Sequence, residues 1–149
     1  MCLTLKLKNR FCLSYDILVH KMLNDRQTNN IITPYQRMCV NFENGKAELW
    51  INDDDLKPNI WEDIHQGIHS FYDLYECRLR AMMFGFSPYY AIIPAGTPFY
   101  VGNTFDVVSS KLIIFETGED LAKYEEKNGK ATPLKKLINT IGGVLSKNA

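Results

Sequence analysis

Two arginines close to a group of tyrosines are the side chains best suited to bind a phosphorylated ligand. Arg78 and Arg80 are the only arginines in residues 38–149, and both lie in the segment DLYECRLRAMMF. A guanidinium group binds phosphate oxygens through paired hydrogen bonds and stacks on aromatic rings. The alternative is an ordinary solvated helix face, because charged side chains are mostly exposed. The predicted ligand-binding residues are Arg78, Arg80, Lys111, His69, Tyr72, Tyr75, Tyr89 and Ser109.

Two histidines have the spacing of metal ligands. His65 and His69 are four residues apart, a spacing that places both on one face of a helix. Gly67 and its surroundings instead favour an extended segment. There the two rings would lie about 13 Å apart, too far to share one zinc ion. We therefore predict structural or solvent-exposed histidines, no metal site and no cofactor.

The remaining candidate chemistry falls short of a catalytic motif. The acidic run Asn52–Asp55 lacks the glycine and the closing glutamate of an EF-hand loop, which indicates a solvated loop. Cys77 lies in the apolar stripe of a predicted helix, where a core role is commoner than that of a nucleophile. The chain contains no GxGxxG, GxxxxGK[ST] or GxSxG motif. These patterns predict no catalytic residue and a protein that is not an enzyme.

The charge of the chain argues against a protein that mainly coats nucleic acid. The 149 residues include 17 basic and 17 acidic side chains, whereas such binding depends on neutralising phosphates. Residues 1–30 carry five basic and two acidic side chains, and residues 41–65 carry two basic and seven acidic ones. Two differently charged surfaces would explain this polarity, and so would contact between oppositely charged patches of two subunits. We predict no direct nucleic-acid binding and a homo-oligomer.

The lack of a recognisable signal peptide or membrane span, together with the cysteine spacing, favours a cytoplasmic protein without a membrane partner. The start MCLTLKLKNRF is too short and too charged for a signal peptide. No run approaches the roughly 18 apolar residues that a membrane span needs. The four cysteines show no CxxC spacing and fit cytosolic thiols better than a disulfide scaffold.

Strand patterns and turn residues predict most of a sheet. Extended segments are expected over residues 16–23, 64–71, 89–93, 99–101 and 107–115. In RMCVNFENGKAELWI, Asn44-Gly45 predicts a type I′ hairpin turn. Pairing outward from this turn sets Phe42 against Ala47, Val40 against Leu49 and Met38 against Ile51.

Capping residues predict three helices. Asp73 opens the central helix and Gly85 ends it. The segment Thr117–Asp120 resembles a capping box for a second helix that stops at Asn128-Gly129. Thr132 and Pro133 are expected to open a third helix, whose apolar stripe begins at Leu134.

Together these elements predict one α+β domain over residues 1–149. Residues 1–116 would form a twisted, mainly antiparallel sheet of about 5–6 strands with one central helix, and residues 117–149 would form a C-terminal helical pair.

Three pieces of the chain resemble a group of short bacteriophage and other mobile-element proteins. These pieces are MCL followed by DILVHKML and TPYQ, then GIHSF before a helix, and finally IIPAGTPFYVGNTFDVVSSKLIIFE. The likeness spans roughly residues 1–115, and the group has no assigned activity. The resemblance implies a phage protein that works in the cytoplasm of a bacterial host.

A second likeness concerns the segment Gly67–Phe71, a helix and then a tyrosine-rich strand, which resemble part of the ADP-ribosyltransferase fold. There Gly67–Phe71 would hold the first strand, and Glu116 would be the candidate for the catalytic glutamate.

The leading functional hypothesis is a non-enzymatic, phage-encoded anti-defence protein that sequesters a nucleotide-type immune signal. The signal would be a cyclic oligonucleotide or an ADP-ribose-derived molecule. One alternative is a protein-binding inhibitor of a host defence enzyme, which would use the Asp53–Asp55 loop as a nucleic-acid mimic. A second alternative is an ADP-ribosyltransferase-like, nucleotide-handling enzyme. The expected partner is therefore a nucleotide-type small molecule or a host defence protein.

Overall fold

The structure is a computed structural model that describes residues 3–26, 31–34, 37–58, 63–64 and 66–138. Its strands are β1 Leu3–Cys12, β2 Ile17–Leu23, β3 Ile31–Ile32, β4 Cys39–Val40, β5 Lys46–Trp50, β6 Asp63–Ile64, β7 Ile68–Phe71, β8 Ser87–Ile93, β9 Pro98–Gly102, β10 Asp106–Ser109, β11 Lys111–Phe115 and β12 Thr132–Pro133. Its helices are α1 Leu74–Phe84 and α2 Gly118–Asn128, with a 3₁₀ turn at Asp53–Asp55. Residues 134–138 are also helical. The expected α+β class with a mainly antiparallel sheet is confirmed.

Ten strands form one sheet that closes on itself through a bent strand. The hydrogen-bonded order is β5-β11-β8-β2-β7-β10-β9-β1-β6, and β12 pairs in parallel with β2. A separate two-stranded sheet joins β3 and β4. β10 and β11 belong to one run of chain that is interrupted only at Ser110. The path from β11 through β8, β2 and β7 therefore returns to β10, which makes a ring.

The bend at Ser110 lets one strand serve both halves of this ring. Before the bend, β10 pairs with β7 and β9; after it, β11 pairs with β8 and β5. The N–H of Ser110 donates to the carbonyl of Pro98 at 3.3 Å, and the N–H of Ile51 donates to the carbonyl of Ser110 at 2.7 Å. The backbone groups at the bend are thus paired although Ser110 is buried.

The main hydrophobic core takes alternate residues from strands all around the ring. Side chains alternate between the two faces of a strand, so every second residue points to the same side. The buried members from β2, β8, β9 and β11 are Ile17, Val19, Leu23, Ala91, Ile93, Phe99, Val101, Leu112 and Ile114. Removing this apolar surface from water is the dominant favourable term in folding.

The two complete helices begin and end at the predicted residues. Asp73 caps α1 by accepting a hydrogen bond from the N–H of Tyr75 at 2.9 Å, and Gly85 ends the helix in the left-handed region at φ 72°. The buried side of α1, Cys77 and Ala81, packs against Met22 of β2. The capping box that starts α2 is also present.

The predicted number of strands is wrong, because local patterns hide where strands divide. The apolar run over residues 107–115 is two strands that separate at Ser110. The segment 64–71 also divides, and Gly67 between β6 and β7 has a φ of 132° that only glycine adopts readily. The remaining strands, among them the ten-residue β1, give no recognised signal in the sequence. The predicted sheet of 5–6 strands therefore becomes one of ten.

The predicted hairpin forms at its turn but not along its strands. Asn44 and Gly45 have φ angles of 55° and 80°, as a type I′ turn requires. The ladder ends at the bridge between Glu43 and Lys46, since β4 pairs with β3 and β5 pairs with β11. In the β5–β11 pairing, the buried Leu49 lies opposite the buried Leu112, which brings the apolar side of β5 to the core.

The third helix starts later than predicted. Thr132 belongs to β12, and its N–H donates to the carbonyl of Asp16 at 3.0 Å. Helix begins at Leu134, which is buried in the main core. The rest of the predicted helical pair, from residue 139 onward, lies outside the described residues.

The basic and acidic stretches of the sequence meet within one chain. β1 pairs with β6, and the guanidinium of Arg10 donates to the carbonyl of Asp53 at 3.2 Å. These contacts bring the two stretches together through backbone groups rather than through ion pairs. Contact between subunits stays a prediction.

Substitution of Gly67 should destabilise the fold far more than substitution of Gly96. A Cβ at residue 67 would overlap the side chains of Val108 and Leu56, whereas a Cβ at Gly96, whose φ is also positive, meets nothing within 4 Å. We expect Gly96→Ala to cost about 1 kcal/mol from backbone strain alone. Gly67→Ala should cost about 3 kcal/mol or more, because overpacking adds to the strain. Urea unfolding of both variants measures the difference. Equal costs would contradict the close packing of Val108 and Leu56 against Gly67.

Candidate functional site

The predicted residues on α1 do not converge on one site. The side chain of Tyr75 is 70% exposed, and Arg78 is exposed as well. The guanidinium of Arg80 instead lies over the ring of Phe71, at 4.9 Å from its centroid, and this packing accounts for its position. The two predicted arginines therefore have different surroundings, one in solvent and one against a ring.

Three further predicted residues are occupied by contacts inside the fold. Tyr72 is buried, with its ring 5.7 Å from that of Phe105. The Tyr89 hydroxyl donates to Asp25 at 2.7 Å, and burial followed by this hydrogen bond raises the pKa of Tyr89. The buried Ser109 hydroxyl donates to the carbonyl of Lys111 at 3.0 Å. These contacts explain the three side chains structurally.

Lys111 lies in a surface cleft that the sequence did not predict. The cleft has a volume of about 590 Å³ and opens where the end of β5 and the start of β11 face the turn between β8 and β9. We call it the Trp50 cleft. The residues that line it are Glu48, Trp50, Ile51, Asp53, Pro94, Ala95, Gly96, Thr97, Ser110 and Lys111.

An exposed indole and three charged groups give this cleft its chemistry. The side chain of Trp50 is 66% exposed, although indole is largely apolar. The Lys111 ammonium contacts the Glu48 carboxylate at 2.7 Å, and both side chains are about half exposed. The hydroxyl of Ser110 donates to one carboxylate oxygen of Asp53 at 2.6 Å. The cleft thus offers a stacking surface, one cation and two carboxylates.

The alternation of β5 is the sequence signal that distinguishes Trp50. In β5, residues 46, 48 and 50 are exposed and residues 47 and 49 are buried. A tryptophan on the polar side of such an alternation is a better sign of a binding surface than a tryptophan on the buried side.

A second group of polar residues lies on β2, β7 and α1, where adjacent strand residues point to the two faces of the sheet. This buried polar cluster consists of His20, Lys21, His69, Ser70 and Cys77. The ammonium of Lys21 is buried and donates to the backbone carbonyl of His69. Within the described part of the chain, the Nδ1 of His20, the Nε2 of His69 and the Oγ of Ser70 are buried without a hydrogen-bond partner. Buried polar atoms without partners are rare and costly.

Burial drives the whole cluster toward its uncharged forms. Desolvation lowers the pKa of His20 and of His69 from 6.5 to about 4, with Lys21 adding to the effect at His69. Desolvation likewise lowers the pKa of Lys21 to about 8 and raises that of Cys77 to about 12. Cys77 is therefore a thiol rather than a thiolate at neutral pH, which removes it as a nucleophile.

The structure does not bring together the residues that the ADP-ribosyltransferase likeness implies. His69 lies on β7, whereas Glu116 is exposed just after β11, and β2 and β8 lie between these two strands in the sheet. The N–H of Glu116 donates to the carbonyl of Gly45 at the opposite end of the β5 strand from Trp50. The two residues form no common cleft.

Neither a cluster of metal ligands nor a membrane-spanning helix is found among the described residues. No group of three or more His, Cys, Asp or Glu side chains among them is placed to hold a metal ion. In the same ranges, no helix has the length and apolar content that crossing a bilayer requires.

Comparison of the whole chain with models of protein families, with curated proteins and with solved structures gave no match in any of the three.

Acidification should destabilise the folded protein through the buried His20 and the partly buried His69. Each binds a proton near pH 6.5 when unfolded but only near pH 4 when folded, so unfolding takes up protons in that window. The free energy of unfolding should fall from pH 6.5 to pH 4, by at most about 1.4 kcal/mol per pH unit for each histidine. Urea unfolding of the protein and of His20→Asn/His69→Asn, across pH 7 to 5, measures this. A pH dependence that the double variant leaves unchanged would assign it to other groups and contradict the account.

Proposed function

We propose that this protein binds a nucleotide-type small molecule in the Trp50 cleft and holds it without converting it. In this proposal the protein is a phage-encoded anti-defence sponge, and its ligand is a cyclic oligonucleotide or an ADP-ribose-derived signal. The observation that carries the binding step is the exposed Trp50 indole in a cleft that also contains Lys111. The phage origin rests on the resemblance of the three sequence segments.

An exposed indole beside an ammonium group suits a base and its phosphate. Every nucleobase has a flat face, and stacking on an aromatic side chain contributes about 1–3 kcal/mol per base. Lys111 lies beside this surface, because it pairs directly with Trp50 across the β5–β11 ladder. An exposed ion pair contributes only about 0–1 kcal/mol, so a phosphate can take Lys111 from Glu48 at little cost.

The two carboxylates of the cleft suit a ribose. Carboxylate side chains accept hydrogen bonds from ribose hydroxyls in dinucleotide-binding proteins. Asp53 uses one carboxylate oxygen to accept from Ser110, and its other oxygen retains acceptor capacity. Glu48 would gain a hydroxyl donor as it releases Lys111. The cleft thus matches the three parts of a nucleotide better than it matches a simple anion.

The size of the cleft is also appropriate. Small-molecule sites are typically about 300–1,000 Å³, and the Trp50 cleft, at about 590 Å³, lies within that range. Its floor is built on a sheet ladder rather than on loops alone, because Lys111 and Trp50 are both strand residues. Sites on such elements are held more rigidly than sites on loops.

A second candidate function, inhibition of a host protein, is favoured by the outer face of α1. Tyr75, Leu79, Met82 and Met83 have helical spacing, and the side chains of Met82 and Met83 are 73% and 70% exposed. Exposed methionines are typical of adaptable protein-binding surfaces. By contrast, Asp53 of the acidic turn is engaged with Ser110, which leaves that loop less suited to mimic nucleic acid.

Truncation of Trp50 or Lys111 should weaken ligand binding, whereas truncation of the predicted residues on α1 should not. We expect one member of a panel of cyclic dinucleotides, cyclic trinucleotides and cyclic ADP-ribose isomers to raise the melting temperature. A hundredfold excess over the dissociation constant adds about 2.7 kcal/mol of stability. Trp50→Ala and Lys111→Ala should each weaken binding at least tenfold. Tyr75→Ala and Arg78→Ala are matched controls, an exposed aromatic residue and an exposed cation on another surface.

The same experiment separates the alternatives. Loss of binding in Tyr75→Ala or Arg78→Ala, but not in the cleft variants, would move the site to α1 and overturn the proposal. Recovery of a chemically altered ligand after denaturation, with alteration that increases over time, would show an enzyme rather than a sponge. No stabilisation by any ligand, together with a host protein that co-purifies and is lost in Met82→Gln/Met83→Gln, would favour the inhibitor.

A further inference from the structure

Three lysines converge on a smaller pocket at the other end of β5. The pocket has a volume of about 230 Å³ and lies between the Asn44-Gly45 turn and the side of α2. We call it the lysine pocket. The residues that line it are Asn44, Gly45, Lys46, Phe115, Asp120, Lys123, Tyr124, Lys127 and Asn128.

The positive charge of this pocket exceeds the negative charge of the one carboxylate that lines it. None of Lys46, Lys123 and Lys127 forms an ion pair within the described part of the chain. Lys46 lies over the ring of Tyr124, with its ammonium 5.9 Å from the centroid. Such convergence of unpaired lysines is notable because the whole chain carries equal numbers of basic and acidic side chains.

The one carboxylate in the pocket already has partners. Asp120 accepts hydrogen bonds from the N–H of Thr117 at 3.0 Å and from its hydroxyl at 2.7 Å. These bonds belong to the capping box that starts α2, so the carboxylate is fixed in that role. Both bonds are accepted by Oδ2 from neutral donors, so Asp120 keeps its negative charge, and the lining with its three ammonium groups still has a net positive charge to offer an anion.

The two walls of the pocket are locked together. Gly45 approaches Asp120 so closely that a Cβ on residue 45 would overlap the carboxylate. The N–H of Glu116, just before α2, donates to the carbonyl of Gly45 at 2.8 Å. The turn that carries Lys46 and the helix that carries Lys123 and Lys127 are thus held in fixed relation, which lowers the cost of gathering the charges around an anion.

We propose that the lysine pocket is a binding site for phosphate groups, in particular for doubly charged phosphate monoesters or pyrophosphate. Three ammonium groups around one small pocket provide up to nine N–H donors, and phosphate oxygens are strong acceptors. The pocket is large enough for one or two phosphates. It is not large enough for a whole nucleotide on the usual size range of ligand sites. This site is additional to the Trp50 cleft and does not depend on the function proposed for that cleft.

The lysine pocket and the Trp50 cleft lie on the same side of one strand. Lys46, Glu48 and Trp50 all point outward from β5, and four residues of strand separate Lys46 from Trp50 by about 13 Å. The phosphate can therefore come from a free anion or from the far end of a long ligand whose base lies on Trp50. Both sources present the same chemistry to the three lysines.

Titration with inorganic pyrophosphate tests the pocket directly. Calorimetry at low ionic strength should show saturable binding to the full chain. The dissociation constant should rise at least tenfold in Lys123→Gln/Lys127→Gln and stay unchanged in the control Lys130→Gln, an exposed lysine just after α2. Glutamine preserves helix propensity, and changes at exposed sites rarely alter stability by more than about 0.5 kcal/mol, so the variants should fold.

The outcomes distinguish this site from the cleft and one source of phosphate from the other. Lys111→Ala should leave pyrophosphate binding unchanged, whatever it does to nucleotides. A nucleotide whose binding is weakened by both Trp50→Ala and Lys123→Gln/Lys127→Gln would be a ligand that spans both sites; weakening by Trp50→Ala alone would make the pocket a site for free anions. Absence of saturable binding, or equal affinity in Lys123→Gln/Lys127→Gln and in the unchanged protein, would overturn the proposal.

Discussion

The whole structure depends on one strand that bends at a buried serine and pairs on both sides of the bend. Residues 106–109 lie between β7 and β9, and residues 111–115 lie between β8 and β5. A strand can change neighbours in this way only if the backbone groups at the bend find partners elsewhere, because unpaired buried groups are costly. Ser110 meets this condition through Pro98 and Ile51, whose backbone groups take its N–H and its carbonyl. These two hydrogen bonds let the strand bend without unpaired backbone groups, so that the ring can close around its apolar core.

The bend also determines where the candidate site lies. The Ser110 hydroxyl holds the Asp53 carboxylate, and the next residue, Lys111, faces Trp50 across the ladder. The residues that close the ring are therefore also the residues that bring a cation, a carboxylate and an indole into one cleft. The outward side of β5 extends this surface to the lysine pocket, so one edge of the sheet carries both sites that we propose. The buried polar cluster lies elsewhere, on β2, β7 and α1, and its neutral histidines and thiol, together with a lysine that donates to a backbone carbonyl, fit a structural role.

Elements with local signals could be predicted from the sequence, and elements set by distant contacts could not. β2, α1 and the capping box of α2 carry their own information: alternation or apolar content in the strand, Asp73 and Gly85 at the helix ends, and Thr117 with Asp120. The Asn44-Gly45 turn is also local and has the predicted conformation, but the partner of β5 is decided by β11, some sixty residues away in the chain. Of the residues that line the Trp50 cleft, only Lys111 is among the ligand-binding residues predicted from the sequence. The alternation of β5 marks Trp50 as outward-facing, but only the tertiary register places Trp50, Glu48 and Asp53 beside Lys111.

The central claim, that a nucleotide-type ligand stacks on Trp50, is tested most directly by the indole resonances of the protein. The chain has two tryptophans, so a nitrogen–proton correlation spectrum should contain two indole N–H signals, and Trp50→Phe assigns the one that belongs to the cleft. During titration with the ligand identified by thermal stabilisation, the Trp50 signal should move in a saturable manner, together with the backbone signals of Ser110 and Lys111. The account would be contradicted if that ligand bound while these signals stayed in place and the signals of α1 moved instead.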